Sequence, residues 1–461
     1  MKKCAQKGTD ATRLIQKVLA LSAGAIIGMS GPAYSGPEGG QVMGGTGLIS
    51  LPDAATTLIQ QQSQNLAIDW QRFNVASNER VLFQQPSASA AVLNRILDQN
   101  PSQIFGSIEA NGRVFLSNPN GIIFGASATV NVGSLFATGL DMSSADFMSG
   151  RYEMGLADGE SAGVVINRGI ISAATGGSVT LVGGAVSNEG LIIADVGYVN
   201  LAAGRKAVVD FRGDGSIRFQ VDEAVLGNPV GLDSAVSNSG EIRAEGGQVL
   251  LSGHAAQDVF TRVVNNDGVI RAGRIDDSGG TIRLLGSGGD VYNSGTLDAV
   301  SGSGQGGDID VLGDRVAITS DAQIDASGTT GGGNVRIGGD YQGANPDVHN
   351  ASHTYVGSDA VIKADATDAG DGGRVIVWAD GNTGFYGSIS ARGGSEAGDG
   401  GFVEVSGKGS LQFDGKVDAT AANGKWGHTA AGPYRHHYPV GGGKSGWRDR
   451  CGMSTSSTIA C

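Results

Sequence analysis

Val114-Phe115-Leu116-Ser117-Asn118-Pro119-Asn120-Gly121-Ile122-Ile123-Phe124-Gly125 is two apolar runs hinged on a five-residue turn. Pro119 fixes φ, the two Asn side chains can bond the local backbone, and Gly121 admits a positive φ. Such a turn joins strands in many β proteins, so its neighbours decide what it means. Upstream lie Gly44 to Pro52 (GGTGLISLP), Ile68 to Asn74 (IDWQRFN) and Gln85 to Ile96 (QPSASAAVLNRI). Ile104 to Gly106, Ala110 to Gly112 and Val130 to Gly133 add further short apolar pieces at compact spacing.

Further along, two patterns recur. One is Asn-x-Gly, at Asn167-Arg168-Gly169, Asn188-Glu189-Gly190, Asn238-Ser239-Gly240, Asn266-Asp267-Gly268 and Asn293-Ser294-Gly295. The other is Gly-Gly before an alternating strand, beginning at Gly176, Gly246, Gly279, Gly306, Gly332, Gly372 and Gly400. Most spacings within each series are roughly 20 to 30 residues, the period of a solenoid. Strands such as Val179-Thr180-Leu181 and Ile309-Asp310-Val311 alternate apolar and polar side chains, which gives each coil an inner and an outer face. The expected fold is all-β: a right-handed, single-stranded parallel β-helix with an amino-terminal capping region. At about 25 residues per coil it makes roughly fifteen coils and a rod on the order of 70 Å.

Composition agrees. Of 461 residues 79 are Gly and only 6% are aromatic, the signature of many short strands and tight turns without a collagen period. The net charge of −13 is unevenly spread. Residues 1–35 carry +4 and residues 428–461 carry +3, so the body between them carries −20. An acidic body repels nucleic acid and anionic lipid, and DNA or RNA is excluded as a partner.

Residues 1–35 read as an export signal. A basic segment ends at Lys17, an apolar stretch runs from Val18 to Met29, and Ala33-Tyr34-Ser35 suits signal peptidase. That stretch is too short to span a bilayer comfortably. Cys4, Cys451 and Cys461 leave the body free of cysteine, as suits a chain threaded unfolded through a pore and equally a solenoid that needs no staples. Past Gly427 the alternation stops, and His428, His436 and His437 supply half of the six His. The frame beginning at the second base of the Gly427 codon can encode Gly-Thr-Leu-Leu-Leu-Asp-Pro-Thr-Asp-Ile-Thr-Ile, a well-patterned β segment. Residues 428–461 are therefore read as a frameshifted, disordered tail.

The ordered motifs from Gln41 to Met154 resemble the amino-terminal secretion domain of the filamentous-haemagglutinin family, the large exoproteins of bacterial two-partner secretion. The resemblance continues more loosely, as repeats, to Gly427. Many members carry a second Asn-Pro-Asn turn followed by Leu upstream of the first; this chain lacks it, which leaves the transporter subfamily open. The resemblance implies residues 36–155 as the haemagglutination-activity or secretion domain (cap plus first coils), residues 156–427 as the repeat region whose first part belongs with it, and the aromatic-rich part as a cap over the first coils. It implies Asn118, Pro119, Asn120, Gly121 and Ile122 as the secretion motif. It also implies a periplasmic encounter with a TpsB-type outer-membrane β-barrel transporter bearing POTRA domains. The product is expected outside the cell or on its surface, as a monomeric adhesin or haemagglutinin that meets host receptors or glycans. Two alternatives are the amino-terminal part of a contact-dependent toxin and a polysaccharide-active β-helix enzyme.

Other motifs carry less. Gly302–Gly307 matches GxGxxG, but a strand follows it where a dinucleotide site needs a helix. Asp308 and Asp310 beside it occur once, where calcium-binding repeats occur in tandem. Arg212-Gly213-Asp214 is an integrin-type tripeptide and the one candidate receptor motif. Asn350-Ala351-Ser352 is a glycosylation sequon. His349 and His353 sit four apart without the Glu of a zinc helix, and the acids are scattered through turns. No catalytic residue, metal site or cofactor is expected, and the chain is read as not an enzyme.

Overall fold

The computed structural model describes residues 36–433, apart from 158–159, 212–216, 229–230, 276–277 and 320. The export signal, Arg212-Gly213-Asp214 and residues 434–461 lie outside the described residues. Within them the chain is a parallel β-helix of three sheets with 14, 14 and 11 strands. One coil shows the design. Ala185–Asn188, Leu191–Ile193 and Tyr198–Ala203 are separated by tight corners. Each pairs in parallel with its counterpart one coil on: Ser234–Asn238, Glu241–Arg243 and Gln248–His254. The strands are short because Gly, Asn and Asp break the alternation every few residues.

The core is a set of columns. In the sheet of three-residue strands, Ile171, Ile192, Ile242, Ile270, Leu297, Ile324, Ile362 and Ile389 follow one another in register. All eight are buried. Each contributes about 1.5–3 kcal/mol by leaving water, repeated coil after coil. A polar column runs beside them. Asn167, Asn188, Asn238, Asn266 and Asn293 are fully buried, and each amide donates to the next carbonyl oxygen at 2.7–2.8 Å. The Asn of the Asn-x-Gly repeat is thus an inward-facing ladder as well as a corner residue. The Gly of the same repeat forms a second column. A Cβ added at Gly190, Gly240, Gly268 or Gly295 would lie under 3.0 Å from the carbonyl of the glycine one coil below. Gly333, Gly373, Gly401 and Gly427 repeat this contact at the corner before the long strands.

The amino-terminal end is closed by antiparallel strands. Gln41–Gly44 pairs with Asn65–Trp70, and Gly47–Asp53 pairs with Thr56–Gln61. From Asn65–Trp70 onward the first sheet holds thirteen parallel strands, ending at His428–Pro433. Twelve steps of about 4.8 Å make a rod of about 58 Å, shorter than the 70 Å and fifteen coils expected. Excursions account for the difference. Fifty residues separate Asn188 from Asn238 although they are adjacent in the ladder.

Two excursions build a second core outside the helix. Residues 139–163 include α1 (Ser144–Met148), capped by Ser143, whose Oγ accepts the Asp146 amide at 3.4 Å. Tyr152–Gly155, Lys206–Phe211 and Ile217–Asp222 form a small antiparallel sheet. Beneath them Ala67, Leu93, Phe115, Phe136, Phe147 and Met154 are buried as a separate apolar cluster. Phe115 stacks on Phe136 at 5.5 Å and meets Phe147 edge-on at 5.3 Å. The aromatic-rich segment therefore does not act as one cap. Trp70, Phe73, Phe83 and Phe124 fill the inner core, Phe115 faces outward, and Phe105 is 38% exposed.

The boundary at 427 also shifts. His428–Pro433 continues the long-strand sheet, paired in parallel with Phe402–Gly407, six residues into the segment read as a disordered tail. Ladder hydrogen bonds come from the backbone and are indifferent to side chains. The strand's side chains are exposed or half-exposed, so its pairing is not matched by apolar burial.

Candidate functional site

Asn118 to Ile122 forms the corner between Arg113–Ser117 and Ile122–Phe124. The Gly121 amide donates to the Asn118 carbonyl at 2.8 Å, which closes the turn. The Asn120 amide donates to Asn118 Oδ1 at 2.9 Å, and Gly121 takes φ +107°. Asn118 itself is fully buried. Its Nδ2 donates to the Asn100 carbonyl at 3.1 Å and to Ser102 Oγ at 3.0 Å, reaching the preceding coil. Its backbone amide donates to Thr138 O at 3.0 Å on the following one. Asn118 therefore ties three successive coils together.

The other motif residues divide by exposure. Asn120 is exposed and donates from Nδ2 to the Asp98 carbonyl at 2.8 Å. Pro119 is half-exposed. Ile122 is buried and pairs with Ser102 on one side and Val165 on the other. A Cβ at Gly121 would press on the Val164 carbonyl at 2.7 Å. Glycine is needed there for conformation and for closeness alike.

Residues outside the pentapeptide complete the site. Ser117 Oγ donates to Leu140 O at 2.9 Å and accepts from the Met142 amide at 3.2 Å, pinning the first excursion to the corner. Arg95 makes a two-pronged contact with Asp141 at 2.9 and 3.0 Å and an ion pair with Asp69 at 3.5 Å. The Asp141 hydrogen bond, opposed by burial, raises the Arg95 guanidinium above its ordinary value. Asn94 accepts from Trp70 Nε1 at 3.0 Å and donates to Phe115 O at 3.1 Å. Neither Ser117 nor Arg95 stands out in the sequence, because the partners Leu140 and Asp141 lie 23 and 46 residues away.

A family comparison decides what this corner belongs to: the TPS secretion domain matches residues 37–299, more than half of the chain. The chain belongs to the TPS secretion domain family. It carries the secretion domain of a TpsA-type exoprotein of two-partner secretion. The crystal structure of the HMW1 secretion domain from Haemophilus influenzae superposes with a TM-score of 0.73 at 30% identity, covering 85% of this chain and all of that one. Two Haemophilus influenzae proteins named heme/hemopexin-binding protein are similar in sequence. One is 31% identical over 255 residues, which is 54% of this chain and 27% of the relative. The other is 37% identical over 128 residues, 27% of this chain and 14% of that relative. The chain thus matches about a quarter or less of the length of these relatives.

TPS exoproteins leave Gram-negative cells across the outer membrane with the help of a partner transporter. The family is one of secretion domains and not a known enzyme family. Among the described residues, no helix is long and apolar enough to cross a membrane.

The remaining candidates resolve individually. Gly302–Gly307 is a corner before the strand Asp308–Leu312. His349 Nε2 faces Asp314 Oδ1 at 2.9 Å, whereas His353 Nδ1 faces Ser352 Oγ at 3.1 Å, so the two His serve different partners. The Asn350 amide of the sequon is engaged, donating to Gly343 O at 2.9 Å and to Asp380 Oδ1 at 3.3 Å.

Proposed function

We propose that this chain is the exported amino-terminal part of an adhesin or haemagglutinin, handed in the periplasm to a TpsB-type barrel transporter through that transporter's POTRA domains. The rod reaches the cell surface or medium as a monomer and presents its later coils to host receptors or glycans. The match over residues 37–299 carries this reading. In it, Asn118 keeps the fold competent for export by holding three coils together, and Asn120 and Pro119 are the parts a transporter could touch.

Export with a co-expressed transporter tests it. Asn118→Val leaves the Asn100 carbonyl, Ser102 Oγ and Asn120 amide without their partner, at about 1–3 kcal/mol for the buried Ser102 hydroxyl and less for the other two, which solvent can reach. Secretion of that variant is expected to fall to background. Asn120→Val loses one exposed hydrogen bond and is expected to fold normally. If it also folds but stays in the periplasm, the exposed half of the motif is a transporter contact. Normal export of both variants removes the pentapeptide from the secretion mechanism.

A second reading is favoured by the names of the two relatives: the full-length product binds heme or hemopexin. Retention of hemopexin by the immobilised chain would support it, and retention of neither ligand would leave the adhesin reading ahead.

A further inference from the structure

The 11-stranded sheet carries an outward feature that the secretion reading does not use. Tyr292, Ala317, Tyr355, Gly384 and Gln412 lie in register on five successive coils. Two residues earlier on the same strands, Asp290, Arg315, His353, Asn382 and Ser410 form a parallel row. The intervening Val291, Val316, Thr354 and Thr383 are buried, so both rows face outward. All residues of the two rows but Ser410 line an open groove of about 380 Å³ together with Tyr386.

We propose that this groove is a binding shelf for an oligosaccharide of pyranose sugars. The proposal deepens the adhesin reading and rests on it. Tyr292 and Tyr355 are two coils apart, roughly 10 Å, the run of two sugar units in an extended chain. Tyr292 is half-buried and Tyr355 is 46% exposed, with Tyr386 at 5.7 Å from Tyr355 and tilted by 46°. A pyranose has an apolar C–H face that settles on such a ring and a rim of hydroxyls that needs donors and acceptors beside it. Arg315, His353, Asn382 and Gln412 supply that rim, all exposed. Small residues separate the rings. Ala317 leaves a gap between Tyr292 and Tyr355, and a Cβ at Gly384 would stand only 3.3 Å from Tyr386 Cε2 and 3.6 Å from Tyr355 Cδ2.

Charge fits as well. Arg315 holds Asp290 through Nε and Nη2 at 2.7 Å each, and Arg262 lies over the Tyr292 ring at 4.6 Å. The shelf is therefore not acidic although the body carries −20. It can take neutral or anionic sugars, where the rest of the rod repels the latter.

The test is titration of the purified full chain with neutral and uronic-acid pyranose oligosaccharides, by calorimetry, beside Tyr355→Ala and Gly384→Val. Gly384→Val keeps every ring and fills the pit. Both variants are expected to lose roughly tenfold or more in affinity with unchanged melting temperature and unchanged export. The uronic-acid arm decides whether anionic sugars bind more tightly. No binding by the parent chain, or equal binding by both variants, overturns the shelf. Adhesion to cells is measured in parallel. Adhesion by the parent that both variants retain rejects the shelf and spares the adhesin reading. Sugar binding without cell adhesion does the reverse.

Discussion

One outward column of the long-strand sheet passes through two regions of opposite chemistry. In register it reads Ala67, Leu93, Phe115, Phe136, Thr180, Asn200, Leu250, Arg283, Asp310, Arg336, Ile376 and Glu404. Near the cap, where residues 139–163 cross over it, the column is apolar and buried. In the middle it turns largely polar, and Arg283, Asp310 and Arg336 pair along it at 3.3 and 2.7 Å. Where residues 338–352 cover it, Ile376 is buried again. The outer face therefore follows what lies on top of it, while the inner core stays the same throughout. Glu404 is the exception under a cover, a carboxylate 1% exposed, whereas Asp310, 4% exposed, is held by Arg283 and Arg336.

Removing the covered aromatic should have the largest effect. Phe115→Ala empties a site between Phe136, Phe147 and Tyr152 and is expected to cost about 3–5 kcal/mol in denaturant melts. A loss under about 1 kcal/mol would mean that the second core is not a packed one.

Glu404→Gln sharpens the exception. Burial, partly offset by the Gln342 amide at 3.1 Å and by Arg374, raises this carboxyl above its ordinary value. A raised carboxyl pKa means the folded state holds its proton more tightly than the unfolded chain. Stability is then lost as pH rises through the raised value and recovered as pH falls toward the ordinary carboxylate range. The Gln variant is expected to gain on the order of 1 kcal/mol at neutral pH, and the gain should vanish on acidification. A pH-independent difference between the two chains would sink the burial account.

Arg283→Gln has the smallest expected effect. Its side chain is 52% exposed, so losing the Asp310 pair should cost less than about 1 kcal/mol in the same melts and less still in high salt.

Much of the rod was legible because its rules are local. Gly-Gly before an alternating strand, and Asn-x-Gly at corners, are visible in a single coil. Asn188 reads as a corner residue from sequence, yet its inward turn toward Asn238 depends on a partner 50 residues away. Phe115 sits in the unbroken apolar run Val114-Phe115-Leu116, which does not reveal which side chain faces out until something is known to cover it. The pentapeptide was legible as a turn. The bracing by Asn118 was not, since Asn100 and Ser102 come beside it only once coils stack.

The glycine columns have a consequence for how such a rod grows. At Gly333, Gly373, Gly401 and Gly427 only a hydrogen atom fits over the glycine of the coil beneath. An incoming coil that slips by one residue brings a side chain to that spot and cannot seat. Each finished rung thus gauges the next, rejecting misaligned additions through sterics before any apolar residue has found its place.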